Sequence, residues 1–173
     1  MKKIIFIITI LIILFSCKTT DGLYSYLNKD SNQIYFFRPL EIKDNSKNIN
    51  ISIDLTISMF NNEIISNPIM NYSIYVPKTK KINSENTYIT LDSSYTNTHL
   101  KIKPISIDLM YKNIEKDLLE YRFSAELDKE KFTHLIESQN KILITVSLEN
   151  GKEYSFDSKE FNNKIDEFRI VAW

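Results

Sequence analysis

The eleven residues from Ile49 to Met59 constrain this chain more than any other stretch. In order they read Ile-Asn-Ile-Ser-Ile-Asp-Leu-Thr-Ile-Ser-Met, with every odd position apolar and every even position polar. Successive side chains of a strand point to opposite faces, whereas those of a helix turn by about 100° each. A strict period of two therefore calls for a strand with one buried and one wet face, and it excludes an amphipathic helix. A single buried face needs a second layer to cover it. It also points to an antiparallel sheet, because parallel strands are covered on both faces and read as unbroken apolar runs.

The same period recurs along the chain. Ile34 and Phe36 alternate with Tyr35 and Phe37 until Pro39 interrupts. Met70, Tyr72, Ile74 and Val76 share one face and end at Pro77. Tyr88 to Leu91 is a short strand candidate, and Leu119, Tyr121, Phe123, Ala125 and Leu127 form a longer one. Leu100 and Ile102 have the opposite parity to Ile105, Ile107 and Leu109, and Pro104 lies between them. A shift of one residue turns every side chain over, so a bulge or a break is expected at Pro104. Ile142, Ile144, Val146 and Leu148 alternate again, with Tyr154 and Phe156 on a return strand.

Asn61-Asn62-Glu63 reads as a turn, and Asn150-Gly151 as a two-residue hairpin loop. Two segments leave the strand period. Phe132, Leu135 and Ile136 lie on one helix face behind Asp128, a candidate N-cap, with the segment ending near Ser138. Ser158 can cap a closing helix that buries Phe161, Ile165 and Phe168. Ile170 to Trp173 reads either as a last strand or as a segment docked on the sheet. About eight consecutive strands and two short helices near the C-terminus make the fold mainly β. An antiparallel β-sandwich is the first expectation and a closed β-barrel the alternative.

The N-terminus carries a different pattern. Lys2 and Lys3 precede Ile4 to Phe15, a run that is apolar except for Thr9, and Ser16-Cys17 follows. A charged start, a short apolar core and a small residue at the cut make a secretory signal peptide. The run is too short to span a bilayer, which takes about 20 residues. Leu14-Phe15-Ser16-Cys17 resembles the lipobox of bacterial lipoproteins. The bulky Phe15, where a small or β-branched residue is usual, is similar to the looser lipoboxes of spirochaetes.

The resemblance covers only the first seventeen residues. It implies cleavage after Ser16, a diacylglyceryl group on the Cys17 thiol, and an acylated new N-terminus. Acylation would also remove the liability of a free thiol in an oxidising compartment, Cys17 being the one cysteine of the chain. Each buried CH₂ of an acyl chain contributes about 0.8 kcal/mol, so two or three chains hold firmly. The expected organisation is a signal peptide over residues 1–16, the lipidated Cys17 with a tether over 17–31, and one β-rich domain over 32–173. Extended, the tether from Lys18 to Ser31 reaches at most roughly 50 Å, and less if Tyr24, Tyr26 and Leu27 pack onto the domain.

Composition narrows what such a domain can do. Loss of Lys2 and Lys3 from the 22 basic residues leaves 20 against 22 acidic ones, a net charge of −2. No basic excess draws nucleic acid. Gly22 and Gly151 are the only glycines. Two glycines supply neither a phosphate-cradling loop, a Rossmann turn nor a nucleophile elbow.

His99 and His134 have no second histidine or cysteine at metal-ligand spacing and read as structural. Asp92-Ser93-Ser94 reads as a turn between strands rather than a nucleophile, and the Glu115 and Asp117 carboxylates carry no mark of burial. The expectation is no catalytic residue, no metal and no cofactor.

Two surface features remain. Pro77-Lys78-Thr79-Lys80-Lys81 is the densest positive run and reads as a solvated loop that keeps an edge from pairing. Tyr35-Phe36-Phe37 puts aromatic rings on both faces of one strand. Either that strand is central and buried on both faces, or one face is a binding surface, where tyrosine is enriched. The function expected is that of a membrane-anchored lipoprotein of the cell envelope, at the outer membrane, with a non-catalytic binding or structural role toward a protein partner. A lipocalin-like carrier of a small hydrophobic ligand and a periplasm-facing assembly factor are the alternatives.

Overall fold

The computed structural model describes residues 22–44, 49–77, 79, 82, 87–93, 99–113, 118–138, 140–148 and 151–172. Cys17 and the whole signal segment lie outside the described residues. In chain order the elements are β1 (Leu23–Leu27), β2 (Gln33–Asp44), β3 (Ile49–Phe60), β4 (Glu63–Ile64), β5 (Ile69–Pro77), β6 (Tyr88–Ser93), β7 (His99–Ile102), β8 (Ser106–Asn113) and β9 (Leu118–Glu126). There follow α1 (Lys129–Glu137), β10 (Ile142–Ser147), β11 (Glu153–Phe156) and α2 (Lys159–Ala172). The strands form two antiparallel sheets, not a closed barrel. One has seven strands in the order β1-β2-β3-β5-β9-β8 with β4 paired to β3, and the other runs β11-β10-β6-β7.

The alternating run is β3, and all six of its odd-numbered side chains are buried. They meet Met70, Tyr72, Ile74 and Val76 of β5, and Phe123 and Ala125 of β9, in a core that also takes in Ile89, Leu91, Ile144 and Val146 of the smaller sheet. Tyr72 and Phe123 stack in its middle, with centroids 4.8 Å apart and planes at 9°. Each fully buried side chain of this size contributes about 1.5–3 kcal/mol by leaving water.

The two layers differ in width. Strands lie about 4.8 Å apart, so six side by side span about 29 Å and four span about 19 Å. A helix with its side chains is about 10 Å thick. Helix α2 makes up the difference by lying under the β1–β2 end of the large sheet. Phe168 meets Tyr35 edge-on at 5.5 Å, and Phe161 meets Phe37 at 6.2 Å. This is why the closing helix buries Phe161, Ile165 and Phe168, the face read from the sequence.

The parity change at Pro104 is a break, and its cause is a change of sheet. β7 is an edge of the small sheet and β8 an edge of the large one. Lys103, Pro104 and Ile105 carry the chain between them, and the Ile105 N–H donates to the Ser124 carbonyl at 2.8 Å. Bulges lie elsewhere: in β2, where the register against β3 shifts between Phe37 and Leu40, around Pro39, and in β8, where the register against β9 shifts between Leu109 and Tyr111.

Both caps are in place. The Asp128 carboxylate accepts from the Lys131 N–H at 2.9 Å, and the Ser158 hydroxyl accepts from the Phe161 N–H at 3.1 Å. Asn61 and Asn62 both have positive φ, 48° and 64°, as a two-residue hairpin loop between β3 and β4 demands.

Several expectations need correction. The Asn150-Gly151 hairpin exists, but its loop has three residues. The Leu148 N–H donates to the Lys152 carbonyl and the Gly151 N–H to the Leu148 carbonyl, and Gly151 takes the left-handed position at φ 70°. Ile170 to Ala172 are not a strand but the last turn of α2, and they dock on the sheet as such: Ala172 is buried and the Tyr35 hydroxyl donates to the Val171 carbonyl at 3.5 Å. Asp92 and Ser93 lie inside β6 rather than in a turn. Of the two readings of residues 23–27, free tether or segment packed onto the domain, the second holds: they form β1 and pair along their whole length with β2.

Candidate functional site

The outer face of the seven-stranded sheet is where the described side chains make the strongest contrast with their surroundings. Cross-strand register sets it out in rows. One row runs Tyr26, Ile34, Ser58, and Ile65 is brought alongside by its N–H bond to the Ser58 carbonyl at 3.0 Å. The next runs Tyr24, Phe36, Thr56, Ile69, Glu126. Phe60 stands one row beyond Ser58, at the end of β3.

At this end of the face several large apolar side chains are exposed beside polar ones such as Glu63 and Glu126. Tyr26 is 54% exposed, Phe60 49%, Ile69 44% and Ile65 41%. The aromatic part is ordered by ring contacts. Tyr24 stacks on Phe36 at 5.4 Å, Tyr26 meets Phe36 edge-on at 6.1 Å, and the Arg38 guanidinium lies 5.1 Å from the Tyr24 centroid. Tyrosine, phenylalanine and arginine are the residue types that contact surfaces favour. Scattered apolar side chains need no explanation, but the cluster of Tyr24, Tyr26 and Phe36, with Phe60, Ile65 and Ile69 exposed on the same face beyond Thr56 and Ser58, concentrates them.

The other end of the same face is polar and bonded. Asp54 accepts from Asn71 Nδ2 at 2.7 Å and from Arg122 at 3.5 Å. The Tyr75 hydroxyl donates to Glu120 at 3.2 Å, and Lys43 pairs with Glu41 at 3.0 Å. Burial first, then the Glu120 carboxylate, push the Tyr75 hydroxyl above its ordinary range.

Tyr35-Phe36-Phe37 thus divides between the two faces. Tyr35 and Phe37 turn inward against α2, whereas Phe36 is half-buried among the outer-face tyrosines. The inner rings are core. The outer ring belongs to a patch that sequence reading caught only in part: Tyr24 and Tyr26 were placed in a tether, and Phe60, Ile65 and Ile69 lie far along the chain. The β1–β2 register is the signal that joins them, and no local pattern contains it.

The remaining candidate residues do not converge. His99 Nδ1 donates to Asp92 across β7 and β6 at 2.6 Å, on the exterior of the small sheet. His134 is exposed on α1, 3.9 Å from Glu137. The Ser93 side chain is buried. Ser94, Glu115, Asp117, Lys78, Lys80 and Lys81 lie outside the described residues. Among the described residues no group of three His, Cys, Asp or Glu side chains is placed to hold a metal ion.

An open cleft of about 450 Å³ lies between the start of β10 and α2, lined by Asn140, Lys141, Asp157, Asn162, Asp166 and Arg169. Its polar groups serve the fold. The Asn162 side chain binds the Ile142 N–H and carbonyl at 2.7 and 3.0 Å, Arg169 donates to the Ile136 carbonyl at 2.6 Å and pairs with Asp166, and Lys141 pairs with Asp157. A second open cleft, of about 290 Å³, reaches the patch only at Phe60 and is otherwise lined by residues such as Leu27, Tyr35, Asn61 and Ala172.

The hydroxyl of Tyr72 has no hydrogen-bond partner, and burial raises its pKa. It sits in the packed core against Phe123, where it neither faces a cleft nor meets a base. None of the described helices is long and apolar enough to cross a membrane. No protein-family model matches the chain, and no curated protein or solved structure matches it.

Proposed function

We propose that this chain is a lipid-anchored lipoprotein of the cell envelope, held at the outer membrane through acylated Cys17 and acting by contact rather than catalysis. The observation that carries the reading is the order of residues 1–17: two lysines, a short apolar run, and one cysteine at a lipobox-like cut. The half-apolar outer face supports it from the folded part. A surface of Tyr24, Tyr26, Phe36, Phe60, Ile65 and Ile69 suits contact with a surface outside the chain. A carrier of the lipocalin type would hold its ligand inside a barrel. Here the strands form two separate sheets, and Tyr72, Phe123, Ile53 and Ile144 fill the space between them.

The test is substitution of Cys17 by serine in cells fed labelled palmitate. The native chain is expected to take up label and sediment with membranes, and the variant to do neither. A variant that still sediments with membranes, together with a native chain free of label, would remove the anchor. Protease treatment of intact cells then separates a surface role from a periplasmic one.

A further inference from the structure

Resting on the lipid anchor just proposed, the occupant of the apolar patch follows from where the anchor joins the body. Leu23, the first residue of β1, is six residues after Cys17. Even fully extended, six residues reach only about 20 Å. Tyr24 and Tyr26, two of the rings of the patch, are on that same strand. The point of entry is also held. Gly22, at φ 107°, lies against the end of the Lys164 side chain of α2, where a Cβ would be 2.9 Å from Cε. Lys164 is itself buried and pairs with Glu167 at 2.9 Å. The short lead therefore joins the body at the β1 edge of the large sheet, on the strand that carries Tyr24 and Tyr26.

We infer that the half of the outer face formed by Tyr24, Tyr26, Phe36, Phe60, Ile65 and Ile69 docks on the lipid leaflet that holds the anchor, so the sandwich lies with this face against the headgroups. A tyrosine has an apolar ring and a polar tip, which suits the boundary between acyl chains and water. Arg38, stacked on Tyr24, keeps its charge at headgroup level. The polar half of the same sheet, with Asp54, Arg122 and Glu120, is left facing water, and so is the small sheet.

The test uses the full acylated chain in phosphatidylcholine–phosphatidylglycerol vesicles. Because acylation occupies Cys17, a second cysteine offers one free thiol. Tyr26→Cys and Phe60→Cys carry a fluorophore on the patch, and Leu143→Cys carries it on an exposed apolar site of the small sheet. Circular dichroism checks that each variant is folded. A nitroxide on the upper acyl chain is expected to quench the two patch labels at least about threefold more than the Leu143 label, as side chains seated about 5–10 Å into the interface should be. Palmitate incorporation is read on the same samples.

Acylation with equal quenching at all three positions overturns the docking and leaves the anchor intact. Absence of acylation removes the anchor and the docking with it. Protection of the Tyr26 label that needs no quencher lipid and rises with protein concentration assigns the patch to a second protein, which also overturns the inference.

Discussion

One sheet presents two unlike halves to its outside. Toward the β1–β2 turn the face carries Tyr24 and Tyr26, whose rings both meet Phe36, and Phe60, Ile65 and Ile69, whose apolar atoms remain partly in water. Toward the other end, Asp54, Asn71, Arg122, Tyr75 and Glu120 are joined by hydrogen bonds. The inner faces behind the two halves are alike, both buried and apolar. The difference is therefore not a requirement of the fold. A sheet face in water needs polar groups or harmlessly scattered apolar ones. A half that departs from this fits the docking proposed above, whereas a half whose polar groups satisfy one another calls for none.

Substitutions in neighbouring positions can break this comparison. The largest effect is expected on the inner face, at a residue next to the polar half. Ile53→Ala should cost about 2–5 kcal/mol in denaturant unfolding, the range for a buried aliphatic side chain cut to a methyl group. Asp54→Ala, one residue on and facing outward, should cost about 1–2 kcal/mol, because Asn71 Nδ2 loses its acceptor and Arg122 its carboxylate. No cost there would mean that the polar half is merely solvated.

Tyr72→Phe should leave the stacking on Phe123 intact and stabilise by about 1 kcal/mol, since the hydroxyl it removes is buried without a partner. It should also alter alkaline unfolding. A tyrosine whose folded pKa is raised contributes stability that is complete below its unfolded pKa near 10 and declines as pH rises above it. The variant should therefore lose less stability than the native chain above pH 10. The smallest effect is expected on the apolar half: Phe60→Ser should change stability in solution by no more than about 0.5 kcal/mol. A loss of 2 kcal/mol would show that this half is structural, and the contrast between the halves would fail.

Much of the fold was legible because burial on one face of a strand writes itself into alternate residues. Ile49 to Met59, Met70 to Val76 and Leu119 to Leu127 were readable for that reason, and the caps Asp128 and Ser158 because a helix end needs a side-chain acceptor. Register and sheet membership were not, because they arise between segments far apart in the chain. The change of parity at Pro104 was visible, yet only the paired strands reveal that it marks a passage from one layer to the other. The Asn150-Gly151 loop was placed correctly and miscounted by one residue, since the same glycine serves either hairpin type. The staple between Asn162 and the backbone of Ile142 leaves no pattern at all, as it joins a helix to a strand end twenty residues away.

By itself the sequence determined that the chain pairs strands with one dry face, closes with capped helices and carries at its start a cysteine behind a short apolar run. These are properties of neighbours, and neighbours are held together by the covalent chain. The tertiary structure alone decided that α2 fills the width the smaller sheet lacks, that residues 23–27 belong to the body, and that Tyr24, Tyr26, Phe36, Phe60, Ile65 and Ile69 share one surface. Those outcomes depend on which distant strands exchange hydrogen bonds. That choice is made by the packing of the whole core, and no single stretch of residues encodes it.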